Sequence, residues 1–349
     1  MLLRAAAARC VASAPQRRAC ASAAAPPPLR LLRRAGDVAV FDKPVGMMVH
    51  PPPPGSRAPR DVRSRFHDSL NTTQRIAKFL YLRISLAAQM RYALHEAGPL
   101  LGACPPEARF VSRLDTATSG CLAATLSPAG ARALKAAWCD AGRVAKRYLV
   151  LASARAPGGE AWSDERPLRV RGYGGAARGP PQYRDEADAE DARLLQLEAG
   201  ATPLPPGTQR ARTDFAVLAR FPAAAEGGTG LPYASALLAA QPHTGRWHQI
   251  RRHLSGAGLH VVGDVLHGKL RVNGPARERL GLRRMFLHAA TLQIALDDDA
   301  AAAAGLHEPL RVASPLPPEL RAALAQLPGW DDGVLSAFYA GLYPLRDTR

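Results

Sequence analysis

Two short stretches, far apart in the chain, hold the side chains best suited to chemistry. In the first, Phe110 and Val111 lead into Ser112, Arg113, Leu114 and Asp115, then Thr116-Ala117-Thr118-Ser119-Gly120 and a second apolar run from Cys121. That pattern predicts strand, tight polar loop, strand, with Gly120 permitting a close turn. Asp115 would stand at the rim of a sheet, where a carboxylate can meet a substrate; the alternative is an Asx turn in which it bonds only its own backbone. The second stretch runs from His243-Thr244-Gly245-Arg246-Trp247-His248-Gln249-Ile250-Arg251-Arg252-His253-Leu254 through Gly263-Asp264 to His267. Five histidines here raise the question of a metal. No carboxylate stands between His248 and His253 as the HExxH pattern requires, and the spacing is not that of a zinc protease. Arg246, His248, Gln249, Arg251, Arg252 and His253, taken at helical spacing, instead make one face dense in fork-shaped donors, which suits phosphate or carboxylate partners.

Two lesser stretches add to these. Lys43-Pro44-Val45-Gly46 reads as a turn, with Lys43 where a phosphate could be met or as a solvated lysine at a hairpin. Val144–Ala152 is a strong strand pattern carrying Lys146, Arg147 and Tyr148, and Tyr148 alone could be strand filler.

Further elements must position these residues. Strands are predicted at 37–42, 211–221 and 234–241, the last two paired. A helix is predicted over 127–141, with Ser127 as its cap and Pro128 in its first turn. Residues 285–294 read as a final buried strand, and 297–304 as a low-complexity loop. The domain is expected to span 37–318, with an insertion at 57–86, where the composition shifts, a Pro-, Gly- and charge-rich surface excursion at 172–210, and a C-terminal tail with a short helix at 319–349. Residues 1–36 carry seven arginines and no acid, the texture of a transit peptide for mitochondrion or plastid, or else of a disordered leader.

With 349 residues, 47% of them apolar, and a formal charge of +17, the chain can bury one large core or two modest ones beneath a basic surface. A polyanion, RNA or DNA ahead of a membrane surface, is the partner such a surface suits, although an alanine- and arginine-rich codon bias gives the same balance. The five cysteines are scattered without a CxxC pair, which argues against a disulfide framework or structural zinc site. No apolar stretch approaches the ~20 residues of a membrane span.

Taken in order, the blocks Lys43-Pro44…Gly46…Val49-His50-Pro51, Arg113-Leu114-Asp115…Thr118-Ser119-Gly120, Lys146-Arg147-Tyr148, His243-Thr244-Gly245-Arg246…His248-Gln249-Ile250-Arg251…His253-Leu254 with Gly263-Asp264, and Leu287-His288-Ala289 resemble the RluA-type RNA pseudouridine synthases. The details around Arg251-Arg252-His253-Leu254 and Gly263-Asp264…His267-Gly268 are most similar to the tRNA-modifying TruC branch. The family usually has histidine before Arg-Leu-Asp; here it is Ser112, which implies tuning rather than loss of activity.

The resemblance implies an α+β fold, a mixed and mainly antiparallel sheet with flanking helices and a central RNA-binding cleft. It implies isomerisation of uridine to pseudouridine without metal or cofactor, by a monomer that binds RNA (tRNA, with rRNA as the alternative) and no membrane. A catalytically silent RNA-binding or ribosome-assembly protein is the rival from another class. By the same resemblance Asp115 is the catalytic carboxylate, and Arg251 pairs with it, as a guanidinium beside a carboxylate favours the charged form. Tyr148 would stack on the target base. Arg113 would fill the gap left by the flipped nucleotide, Leu287 would floor the uracil pocket, and Lys43, Arg246, Arg252 and His248 would contact RNA.

Overall fold

The computed structural model describes residues 27–49, 100, 109–139, 142–153, 158–170, 204–225 and 230–341. The stretch 57–86, most of 172–210 and the leader before residue 27 lie outside them. In chain order the elements are strands β1 (Arg30–Ala35), β2 (Val38–Lys43), β3 (Arg109–Phe110) and β4 (Ser119–Thr125), helix α1 (Pro128–Cys139), and strands β5 (Val144–Ser153), β6 (Ala161–Asp164), β7 (Leu168–Arg169), β8 (Thr208–Gln209), β9 (Thr213–Phe221) and β10 (Ser235–Pro242). Then come α2 (Gln249–Gly256), β11 (His260–Val261), α3 (Leu270–Arg279), β12 (Leu287–Ile294), α4 (Asp298–Ala304), β13 (Leu310–Ala313), α5 (Pro318–Ala325) and α6 (Gly333–Tyr339).

One mixed sheet runs β1-β2-β4-β12-β5-β10-β9-β6, with β3 beside β4, β11 beside β5 and β13 beside β12. Among the described residues every pairing is antiparallel except β4 with β12, where Ser119 faces His288 and Gly120 faces Ala289. The α+β expectation holds. Gly120 sits at this junction with φ +111°, and a Cβ there would run into the Ala289 carbonyl, so the parallel contact requires glycine.

The central strands are buried on both faces, which is why β5 reads as a continuous apolar run instead of an alternating one. Leu149 and Leu151 turn toward α3, α5 and α6, where Val272, Ala276, Leu320, Leu324, Leu335 and Phe338 cover them. Val150 and Ala152 turn the other way, toward Ile250 and Leu254 of α2. Tyr148, two residues before Val150, shares that second face.

Four expectations change. The segment 297–304 is not a loop but a helix, α4: an alanine run has the best intrinsic propensity, Asp297 caps it by accepting from the Ala300 amide (2.8 Å), and Gly305 ends it at φ +61°. Residues 285–294 are not the last strand, since β13 follows and pairs with β12. The stretch beyond 318, expected as a short helix and a tail outside the core, forms two helices, α5 and α6, that close one face of the core. At the other end, β1 brings Arg30–Ala35, expected within the leader, into the sheet beside β2.

Candidate active site

The Asp115 turn is closed by backbone, the Thr118 amide donating to the Asp115 carbonyl (3.0 Å). The carboxylate is therefore left for another partner, which decides against the Asx reading. Two attachments hold the turn. The Gly46 amide donates to the Thr116 carbonyl (2.7 Å), docking the 44–47 turn upon it. At its far end Ser119 Oγ accepts from Arg284 Nη2 (2.6 Å) and meets His288 Nδ1 (2.9 Å). His288 Nε2 faces the Ser314 carbonyl (3.0 Å), which can only accept, so that nitrogen carries the proton and Nδ1 receives the serine hydroxyl. Burial holds the imidazole neutral, pushing its pKa down to about 4.

Helix α2 supplies the partner. Ile250 and Leu254 pack it on the sheet at i, i+4, and Arg251, between them in sequence, reaches the Asp115 turn. Arg251 Nη1 donates to Asp115 Oδ2 (2.8 Å), while Nε and Nη2 make a fork with Asp264 Oδ2 and Oδ1 (2.7 and 2.8 Å). Burial disfavours the Arg251 cation, but the Asp264 bonds and the Asp115 charge outweigh it and push its pKa up. Burial likewise opposes the Asp264 anion, and the Arg251 bonds reverse this and lower its pKa. Asp264 also accepts from the Leu266 and His267 amides (2.9 and 3.1 Å). Sequence reasoning quoted Asp264 only as part of a motif and gave it no role. The available signal was that it is the only acid between Glu226 and Glu278.

His248 approaches from the turn before α2. Its Nδ1 meets His267 Nε2 (2.9 Å), and its Nε2 lies 3.7 Å from Asp115 Oδ2. Its φ of +53° is the one positive value among the described non-glycine residues. Such backbone costs roughly 1–3 kcal/mol and persists where surrounding contacts over-determine it. This left-handed residue also makes the helix start late, so 243–248 is loop and not the start of α2. Burial pushes the His248 pKa down to about 4.

Tyr148, Leu287 and Ala117 gather on the same sheet face, with Leu287 buried. Burial and the nearby Asp115 charge raise the Tyr148 pKa, so the phenol stays protonated at neutral pH. Arg113, two residues before Asp115, is exposed at the rim. The Asp115 side chain keeps 27% exposure. A half-open carboxylate with one oxygen on a buried cation, beside a neutral phenol, can act as nucleophile or general base toward a planar ring.

Several residues expected to meet RNA are turned inward. Lys43 is fully buried and donates to the Pro44 and Met47 carbonyls (3.0 and 2.8 Å), so it shapes the 44–47 turn and presents no phosphate contact. Burial lowers its pKa to about 7. Arg246 is buried too, its Nε donating to the Arg210 carbonyl (3.0 Å). Gln249 Nε2 donates to the Arg212 carbonyl and Thr213 Oγ (2.8 and 2.9 Å), and His253 Nδ1 meets Thr213 Oγ (3.0 Å). The donor-rich face is thus largely consumed in fastening α2 to β9. Arg252 is partly exposed, with Nη1 on the Arg169 and Trp247 carbonyls (3.1 and 3.3 Å) and its guanidinium 5.8 Å from the Trp247 ring.

A family model described as RNA pseudouridylate synthase matches residues 37–256. The chain is 45% identical over 58 residues to the tRNA pseudouridine synthase C of Salmonella typhi, covering 17% of this chain and 22% of that protein. It is 30% identical over 182 residues to the tRNA pseudouridine synthase C of Haemophilus ducreyi, covering 52% and 64%. A Ribosomal large subunit pseudouridine synthase C of Vibrio vulnificus is 29% identical over 197 residues, covering 55% and 50%. The matches thus span from about a fifth to under two thirds of these relatives. Among solved structures, human RNA Pseudouridylate Synthase Domain Containing 4 shares the fold, with TM-score 0.50, 21% identity, and coverage of 85% of this chain and 92% of that one.

Proposed function

Because the chain belongs to the RNA pseudouridylate synthase family, we propose that it isomerises uridine to pseudouridine in RNA, with tRNA as the substrate. The observation that carries the reading is the Asp115–Arg251–Asp264 chain, a half-exposed carboxylate bonded to a buried, doubly anchored cation. In the reaction the N1–C1′ bond breaks, the uracil turns, a C5–C1′ bond forms, the C5 proton leaves to a base, and N1 takes up a proton, so that the product is an isomer of the substrate. Asp115 is the carboxylate that attacks C1′ or takes the 2′ proton. Tyr148, entering as a neutral phenol, holds the ring. Flipping the nucleotide into this site costs a few kcal/mol, which Arg113 offsets by filling the vacated position. The tRNA assignment is supported by two of the relatives described above, whose names give tRNA as substrate; an rRNA target is the alternative that the Vibrio relative keeps in view.

The test incubates wild type and Asp115→Asn with total RNA tritiated at uridine C5. Asparagine keeps the shape and one acceptor for Arg251 but cannot supply a carboxylate. Tritium release is expected from wild type alone, at least about 1,000-fold above the variant, with thermal midpoints within a few degrees. Mapping the modified position assigns tRNA or rRNA. Equal release by both proteins would remove Asp115 from the chemistry, and RNA binding with no release by either would favour the silent binder.

A further inference from the structure

Among the described residues six large apolar side chains are conspicuously exposed, and four of them lie on the two segments that carry His248 and His267: Trp247 (38%), Val265 (62%), Leu266 (43%) and Leu270 (83%). Single exposed apolar residues are ordinary, but a group at one place marks a binding surface. The two segments are tied together by the His248–His267 bond, and the Trp247 ring stacks on His248 at 3.9 Å and meets His267 edge-on at 6.0 Å.

Nor is the exposure a by-product of a loose loop. Asp264 accepts from the Leu266 and His267 amides, Asn273 Nδ2 donates to the Asp264 carbonyl (2.8 Å), and Asn273 Oδ1 accepts from the Gly263 amide (2.9 Å). A Cβ at Gly268 would strike the Asp264 carbonyl. The backbone that carries Val265 and Leu266 is thus fixed at both ends while the side chains point to solvent. Lys269 and Arg271, both exposed, flank Leu270, and no acid lies between Asp264 and Glu278.

We infer that this apolar ledge, formed by Trp247, Val265, Leu266 and Leu270 with Lys269 at its edge, seats an unpaired nucleotide of the substrate RNA next to the target uridine. An unstacked base offers an apolar face that needs a cover once its neighbour is flipped out, and its phosphate needs a cation. The ledge offers both, and it joins the proposed catalytic site through His248, 3.7 Å from Asp115. A protein partner would also favour apolar contact, but the cations around this ledge and its continuity with Asp115 favour RNA. The inference rests on the pseudouridine synthase reading.

The test compares wild type with Leu266→Ser/Leu270→Ser and with Lys269→Ala, measuring tritium release against RNA concentration, RNA binding across a salt series, thermal midpoint and solution mass. For the double variant KM is expected to rise about five- to tenfold, with kcat falling less than twofold and the melting curve unmoved. Lys269→Ala should reduce the slope of log affinity against log salt by about one. An unchanged KM in the double variant, with wild type active, overturns the inference. A wild-type dimer that the double variant converts to monomer also overturns it and makes the ledge a contact between copies. Absence of release by wild type fails the parent reading instead; the ledge is then judged by RNA binding alone, and equal affinity of the variants sinks it.

Discussion

Asp264 is itself buried, yet it governs two side chains that reach Asp115. Its carboxylate grips Arg251 at Nε and Nη2, and its acceptance from the His267 amide sets the imidazole that meets His248. Removing one member of a buried pair costs about 3–5 kcal/mol, chiefly because the other is left charged and unpaired. Asp264→Ala is expected to lose that much stability by chemical denaturation. Asp264→Asn separates placement from folding: the amide oxygen can keep the Leu266 and His267 amides, while its NH2 opposes Arg251 Nε–H. Its expected result is a kcat loss of about 100-fold with a midpoint lowered by only a few degrees. An unchanged kcat would mean that α2 alone aims the guanidinium. Sequence made Asp115, Arg251 and Tyr148 legible because their motifs are local. Lys43 and Arg246 were misread because burial is a tertiary property: a lysine in a turn looks the same in sequence whether its ammonium meets water or two carbonyls.

At the scale of elements, most strands were readable because both faces of β5, β10 and β12 are covered, leaving apolar runs that no loop would carry. Helix α4 was not, since an alanine-aspartate run without apolar periodicity has only propensity to declare itself. The left-handed His248 was invisible too, and with it the late start of α2. The parallel contact between β4 and β12 could not be read at all, because it joins residues far apart in the chain. It is also an exacting contact, as Gly120 shows. Gly120→Ala must both leave φ +111° and push back the Ala289 carbonyl, at an expected cost of about 3 kcal/mol. Ser119, next door, would shift away from His288, so activity should fall further than stability. A thermal midpoint within a degree of wild type would show that the junction yields easily.

For the whole molecule, buried bases set how stability follows pH. His248 and His288 have pKa values of about 4 when folded against an ordinary 6.5. Between those values the unfolded chain takes up protons that the native protein refuses, so stability declines as pH falls from 6.5 to 4. Lys43, about 7 when folded against 10.5, acts with the same sign in a higher window, stability rising with pH from 7 to 10.5 as the unfolded state alone holds the proton. Urea unfolding across pH 4 to 6.5 should show this decline, and His288→Asn should flatten it; an equal slope in the variant would assign the dependence to other groups. The strand order carries a different consequence, one of timing. β12 lies between β4 and β5, although 169 positions separate His288 from its β4 partner Ser119. As the polypeptide leaves the ribosome, β2 with β4, and β5 with β10 and β9, can pair as separate half-sheets, each with an open edge. Asp115 adjoins the first half; Tyr148 belongs to the second, on which α2 with Arg251 is packed. The carboxylate and its cation are thus parted until β12 emerges and closes the seam, so a nascent chain should be catalytically silent until synthesis has passed Ile294.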